Sequence, residues 1–151
     1  MILLKGVIKM LNDEEMLQLI MKNAEMGCLG ISDVKPYASN ADLKSALQSQ
    51  NLEYGHIYHN AYSVLKHRGY SPSKIGKFVS AMASAKARYE MKNDSSDSHI
   101  AEMMIQGNTM GVRKIAQHIR QYNGKNKIVN NLADKLMSTQ QANIEEMKSY
   151  L

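Results

Sequence analysis

The side chains of this sequence that could support chemistry are polar groups on otherwise apolar helical faces. Stepping about 100° per residue, Glu25 falls one turn after Met21 at the edge of one apolar stripe, and Gln50 lies inside a second. Glu53 sits roughly 70° from the centre of that second stripe, with His56 farther round and His59 toward solvent. A third, broadly apolar stretch holds Gly107, Asn108 and Gly111. Each interior helical glycine costs about 1 kcal/mol relative to alanine, so this pair demands close approach of another helix or room for a bound group. Gln140 and Asn143 occupy the centre of a last stripe that includes Leu136 and Met147. All these positions fall near the middles of their helices, and antiparallel packing brings helix middles together. Buried polar groups without partners are costly, so the expected layer is a connected hydrogen-bond network or a site for a small ligand or single ion.

Other reactive residue types read as structure. The methionines, densest at Met103, Met104 and Met110, follow helical spacing and are expected to fill the core. His118 is expected to be a hydrogen-bonded core histidine, and Cys28 a small buried apolar residue. A single cysteine excludes an internal disulfide framework and a cysteine-rich metal site. No Ser–His–Asp arrangement, glycine-rich phosphate loop or HExxH motif is present, which leaves conventional hydrolase, kinase and zinc-protease readings without support.

Five helices must position these groups. Asn12 with Glu15 three residues on starts the first, over about 13–35, and Pro36 ends it. Ser39 or Asn40 caps a second over about 41–68, stopped by Gly69. Ser71-Pro72-Ser73 opens a shorter third through about Tyr89, with Ile75, Phe78, Val79, Met82 and Ala85 expected inward. A polar loop over 93–98 leads to a fourth helix at about 98–122, and Asn123-Gly124-Lys125-Asn126 turns the chain into a last one at about 127–150. Short turns within each outer pair and one long middle connection predict an all-α, up-down four-helix bundle whose long crossover contains an extra short helix.

A chain of 151 residues suits one domain; residues 12–151 are expected to form it, with 1–11 as an N-terminal arm. Residues 5–10 back-translate into a purine-rich bacterial ribosome-binding site just before Met10, so translation is expected to begin at Met10; the other reading is a loosely docked arm starting at Met1. The net charge of +5 reads as spread along the chain, its densest stretches at Lys66, His67 and Arg68 and at Arg113, Lys114 and Arg120 interleaved with apolar residues. No basic face with aromatic stacking groups is evident, so nucleic acid is not an expected partner. No apolar run approaches the roughly 18–20 residues of a membrane span, which predicts a soluble, cytoplasmic protein with no membrane partner.

From about residue 12 to 151 the sequence resembles the ferritin-like superfamily, including its rubrerythrin-type and spore-coat-type four-helix proteins. The resemblance lies in helix lengths, the long crossover, the Glu53-Tyr54-Gly55-His56 spacing and the polar pair Gln140 and Asn143. It implies a di-iron or manganese centre with Glu25 as one carboxylate ligand and Glu53 with His56 as a Glu-x-x-His motif. Gln140-Gln141-Ala142-Asn143 then stands in place of the second such motif, and Gly107, Asn108 and Gly111 in place of the remaining carboxylate. Glu102 and Glu145 point outward on the same wheel. Neutral amides do not balance paired metal cations, so a degenerate site is expected. The favoured function is a non-enzymatic bundle that assembles with itself or another protein, coat- or stress-associated by analogy. The alternatives are a small-ligand or single-ion module at the midplane, and an iron- or manganese-dependent oxidase or peroxide-handling enzyme using Glu25, Glu53 and His56.

Overall fold

Four helices start where a side chain takes up amides that the first turn leaves without partners. Asn12 forms a capping box with Glu15 at the head of α1 (Asp13–Val34), and Asn40 caps α2 (Ala41–His67) through the amides of Asp42 and Leu43. Ser96 caps α4 (Asp97–Gln121) through His99, and Asn126 caps α5 (Lys127–Lys148) through Ile128 and Val129. A short 3-10 turn, Lys35–Tyr37, follows α1. Gly69, at φ +80°, closes α2 in the left-handed region that favours glycine. The computed structural model describes residues 9–151, an all-helical chain completed by α3 (Lys77–Asn93). Residues 1–8, which hold most of the expected arm and residues 5–8 of the start-site reading, lie outside the described residues. Leu11, placed with that arm in the sequence, is buried: its amide donates to the Gln121 carbonyl at 2.8 Å, and its carbonyl accepts from Asn123.

Contacts at the helix ends fix the directions. Arg68 at the end of α2 bonds Asp13 at the start of α1 at 2.9 Å, so these two run antiparallel. Tyr122, just past α4, donates to the same Asp13 carboxylate, which sets α4 antiparallel to α1. Asp97 at the start of α4 accepts from the Ser39 and Asn40 amides before α2, so α2 and α4 run parallel. The chain must therefore travel back along the bundle between α2 and α4, and α1 carries it. Gln18 holds the Ser71 carbonyl and the Ser73 amide, Glu25 accepts from the Ile75 amide at 3.0 Å, and Asp33 accepts from the Ser84 hydroxyl.

That polar attachment overturns two expectations for the third helix. It begins at Lys77 rather than Ser71, because residues 71–75 are drawn out along α1 by Gln18 and Glu25. It also faces the other way. Only Ala87 and Met91 of α3 are buried, Ile75 just ahead of it is half-buried, and Phe78, Val79, Met82 and Ala85 turn outward. The far end of α3 is held by His99 of α4, whose ring nitrogens lie 3.1 Å from Glu90 and 3.3 Å from Glu102. Burial opposes the His99 charge, but these two carboxylates, with Asp94 nearby, outweigh it and raise its pKa. A raised histidine pKa stabilises the fold below the unfolded value and loses that contribution as pH rises through the folded one. Melting temperature should therefore fall slightly from pH 5 to 8, by less than about 1 kcal/mol of stability for so exposed a cluster, and His99→Gln should flatten that slope.

Candidate functional site

The polar layer assembles around Tyr54. Its ring lies on α1 at Gly27, where an added Cβ would come within 2.7 Å of ring atoms. Its hydroxyl reaches across the bundle and donates to the Asn108 side-chain oxygen, while Asn108 donates to its own helix at the Met104 carbonyl, 2.8 Å away. Burial pushes the Tyr54 hydroxyl up to about 12 even though the Asn143 and Gln140 amides draw it down, so it remains a donor near neutrality. Beside it, Gln140 of α5 donates to Asn23 of α1 at 2.7 Å, and Asn23 donates to the Gly111 carbonyl of α4 at 3.2 Å. Gln50 donates to Glu146, joining α2 to α5.

Gln50, Asn108, Gly111, Gln140 and Asn143 are thus buried, joined by Thr139 and the half-buried Asn23, which the sequence reading did not single out. Several acceptors and donors of this layer find no partner among the described residues: Gln50 Oε1, Thr139 Oγ1, Gln140 Oε1 and Asn143 Nδ2. Half-buried His118 is likewise without a partner at Nδ1, against the expectation of a hydrogen-bonded core histidine; burial and Lys114 both lower its pKa. Cys28 is half-buried rather than buried, its thiol 3.8 Å from the Asn51 carbonyl, and burial raises its pKa.

Other expected site residues are not brought together. Glu53 and His56 are exposed, because the buried stripe of α2 runs through Gln50, Tyr54, Ile57 and Ala61 and leaves each of them one residue outside it. Glu25 is half-buried, and its carboxylate serves the Ile75 amide. The metal-ligand set that the resemblance implied therefore does not converge, and among the described residues no cluster of three His, Cys, Asp or Glu side chains is placed to hold an ion.

The two glycines of α4 also separate. Gly107 is exposed, with open space where a Cβ would stand, whereas a Cβ at Gly111 would lie 2.1 Å from Gln140 Nε2 and 3.2 Å from Asn23 Oδ1. The room at Gly111 is filled by the protein's own amides. Gly107→Ala should raise stability by up to about 1 kcal/mol through helix propensity. Gly111→Ala should lower it by about 1–2 kcal/mol, because displacing Gln140 breaks a buried hydrogen bond. Chemical denaturation of both variants measures the difference in sign.

On the outside, the outer face of α3 gathers several large apolar side chains that the described residues leave uncovered. Phe78, Val79, Met82 and Tyr89 are 77%, 53%, 58% and 66% exposed. Around them stand the exposed cations Lys74, Lys77, Lys86, Arg88 and Lys92, none of which forms an ion pair among the described residues. Residues 71–93 hold those five basic residues and one acid, Glu90, out of totals of 19 and 14. Most of the chain's net charge is therefore gathered on the crossover, not spread along the sequence. A second, open depression between α4 and α5 is lined by Met110, Arg113, Lys114, Gln117, Arg120 and Met137. It presents no aromatic ring on which a base could stack.

Among the described residues no helix is long and apolar enough to cross a membrane. Compared with protein-family models, with curated proteins and with solved structures, the chain gives no match. Its own residues carry the reading.

Proposed function

We propose that this chain is a non-enzymatic helical bundle of the ferritin-like kind that acts by binding another protein chain through the outer face of α3. The observation that carries this reading is the exposure of Phe78, Val79, Met82 and Tyr89 along one face of one helix. A contiguous apolar patch on a chain otherwise able to bury its core marks an interaction surface. The crossover is tied to α1 by Glu25 at the Ile75 amide and by Asp33 at Ser84, and most of the large apolar side chains of α3, Met91 apart, stay on the outside. The interior supports a structural role for the midplane: Gln140 bonds Asn23, Asn108 bonds Tyr54, and no carboxylate cluster for a metal-dependent oxidase stands among the described residues.

Replacing Phe78 and Met82 by glutamate should change stability by no more than about 0.5 kcal/mol, since both are exposed. In an extract of the native host, the wild-type chain should elute in a complex larger than its own 17.0 kDa. The Phe78→Glu/Met82→Glu variant should elute as the free chain. A wild-type chain that elutes at its monomer mass contradicts the reading.

A further inference from the structure

We infer that the surface on α3 receives an amphipathic helix of a different protein, one whose apolar seam is flanked by aspartate and glutamate. This rests on the docking reading above and adds the chemistry of the partner. Phe78, Met82, Ala85 and Tyr89 follow one another at intervals of four, three and four residues. That is the spacing by which one helix presents a continuous seam to another. Ala85 within the seam, and Ala81 beside it, leave low points between the larger side chains where a partner's side chains can seat. The seam spans about 17 Å, three helical turns.

Charge selects the occupant. By helical position, Lys77, Arg88 and Lys92 lie along one side of the seam, and Lys86 beside Val79 on the other. The segment's one acid, Glu90, is turned away to His99. In a symmetric pair of these chains the same patch would face itself, setting one row of cations against another. An acidic partner removes that repulsion, gains charge-assisted contacts at the rim and is steered to the surface over longer range.

Placing the photo-cross-linking residue p-benzoylphenylalanine at Met82 of the full chain, in its native host, tests this. Mass spectrometry of the cross-linked product should identify an amphipathic segment with acidic residues flanking its apolar positions. Its yield should fall by about fivefold or more when Lys86, Arg88 and Lys92 are replaced by glutamate. Circular dichroism must show those exposed replacements to be folded. A product with this same chain, or with a segment lacking an acidic excess, overturns the inference while leaving α3 as a docking face, whereas a product with lipid overturns both. So does a yield indifferent to charge reversal. No product above that obtained with the cross-linker at exposed Ser138 of α5 overturns both the inference and the docking reading.

Discussion

Gly27→Ala should destabilise the protein by about 2–3 kcal/mol, although alanine is the better helix former by about 1 kcal/mol. The added Cβ would lie 2.7 Å from two Tyr54 ring atoms and 2.8 Å from a third. The ring has nowhere to retreat. It is buried against the core, and its hydroxyl is anchored on Asn108 at the far side of the bundle. Moving α1 away would in turn loosen its long packing seam against α2. Gly30, three residues on in the same helix, supplies the control: nothing stands within 4 Å of a Cβ there, so Gly30→Ala should stabilise by up to about 1 kcal/mol. With about 2–4 °C per kcal/mol expected for a chain of this size, thermal melts should shift in opposite directions for the two variants.

The second large effect is expected at Asn108. Asn108→Ala removes the acceptor of the Tyr54 hydroxyl and the donor to the Met104 carbonyl, and leaves a small void. A buried hydroxyl without a partner costs about 1–3 kcal/mol, and the lost volume adds to it, for a total of about 2–4 kcal/mol. Tyr54→Phe alone leaves the Asn108 oxygen unpaired and should cost about 1–2 kcal/mol. Combined, the two changes should cost less than their sum by about 1 kcal/mol or more, because each removes the group that the other strands. Strict additivity in urea denaturation would show that the two side chains do not act as a pair.

The interior layer was legible because Gln50, Asn108, Gln140 and Asn143 stand inside apolar stripes, where a polar side chain has few places to go. The periodicity of α2 also held, from Leu43 to Leu65. What failed was resolution at the edge of a stripe. Glu53 differs from Tyr54 by one residue, and that step of about 100° separates a surface carboxylate from a buried hydroxyl that links two helices. Counting Tyr54 only as apolar hid its role as the donor that links α2 to α4.

The orientation of α3 was illegible for a different reason. Hydrophobic periodicity shows that a helix has an apolar face, but it assigns that face to the interior only when the interior is its sole destination. Here the inner face of α3 is built of alanine and serine with Met91 at its end, and the crossover is held by Gln18 and Glu25 at residues 71–75 and by Asp33 at Ser84, three side chains spaced seven and eight residues apart along α1. That recurring polar edge was the available signal. As part of a metal site Glu25 belongs to the midplane, whereas its partner in the structure is the backbone of the crossover. Charge was obscured in the same way, since Lys74, Lys77, Lys86, Arg88 and Lys92 form no run in the sequence and share an exposed surface only once α3 is wound and docked.

The account turns on whether the outer face of α3, open in the isolated chain, is covered where the protein works. Labelling of a Met82→Cys variant with a membrane-permeant maleimide, in a Cys28→Ala background, addresses this most directly, with Ser138→Cys on α5 as the reference. The purified chain should react at both positions with similar rates, and inside host cells the thiol introduced at position 82 should slow by about tenfold or more relative to the reference. Equal relative rates in the two settings would mean that α3 stays uncovered in the cell, and would contradict its assignment as the working surface.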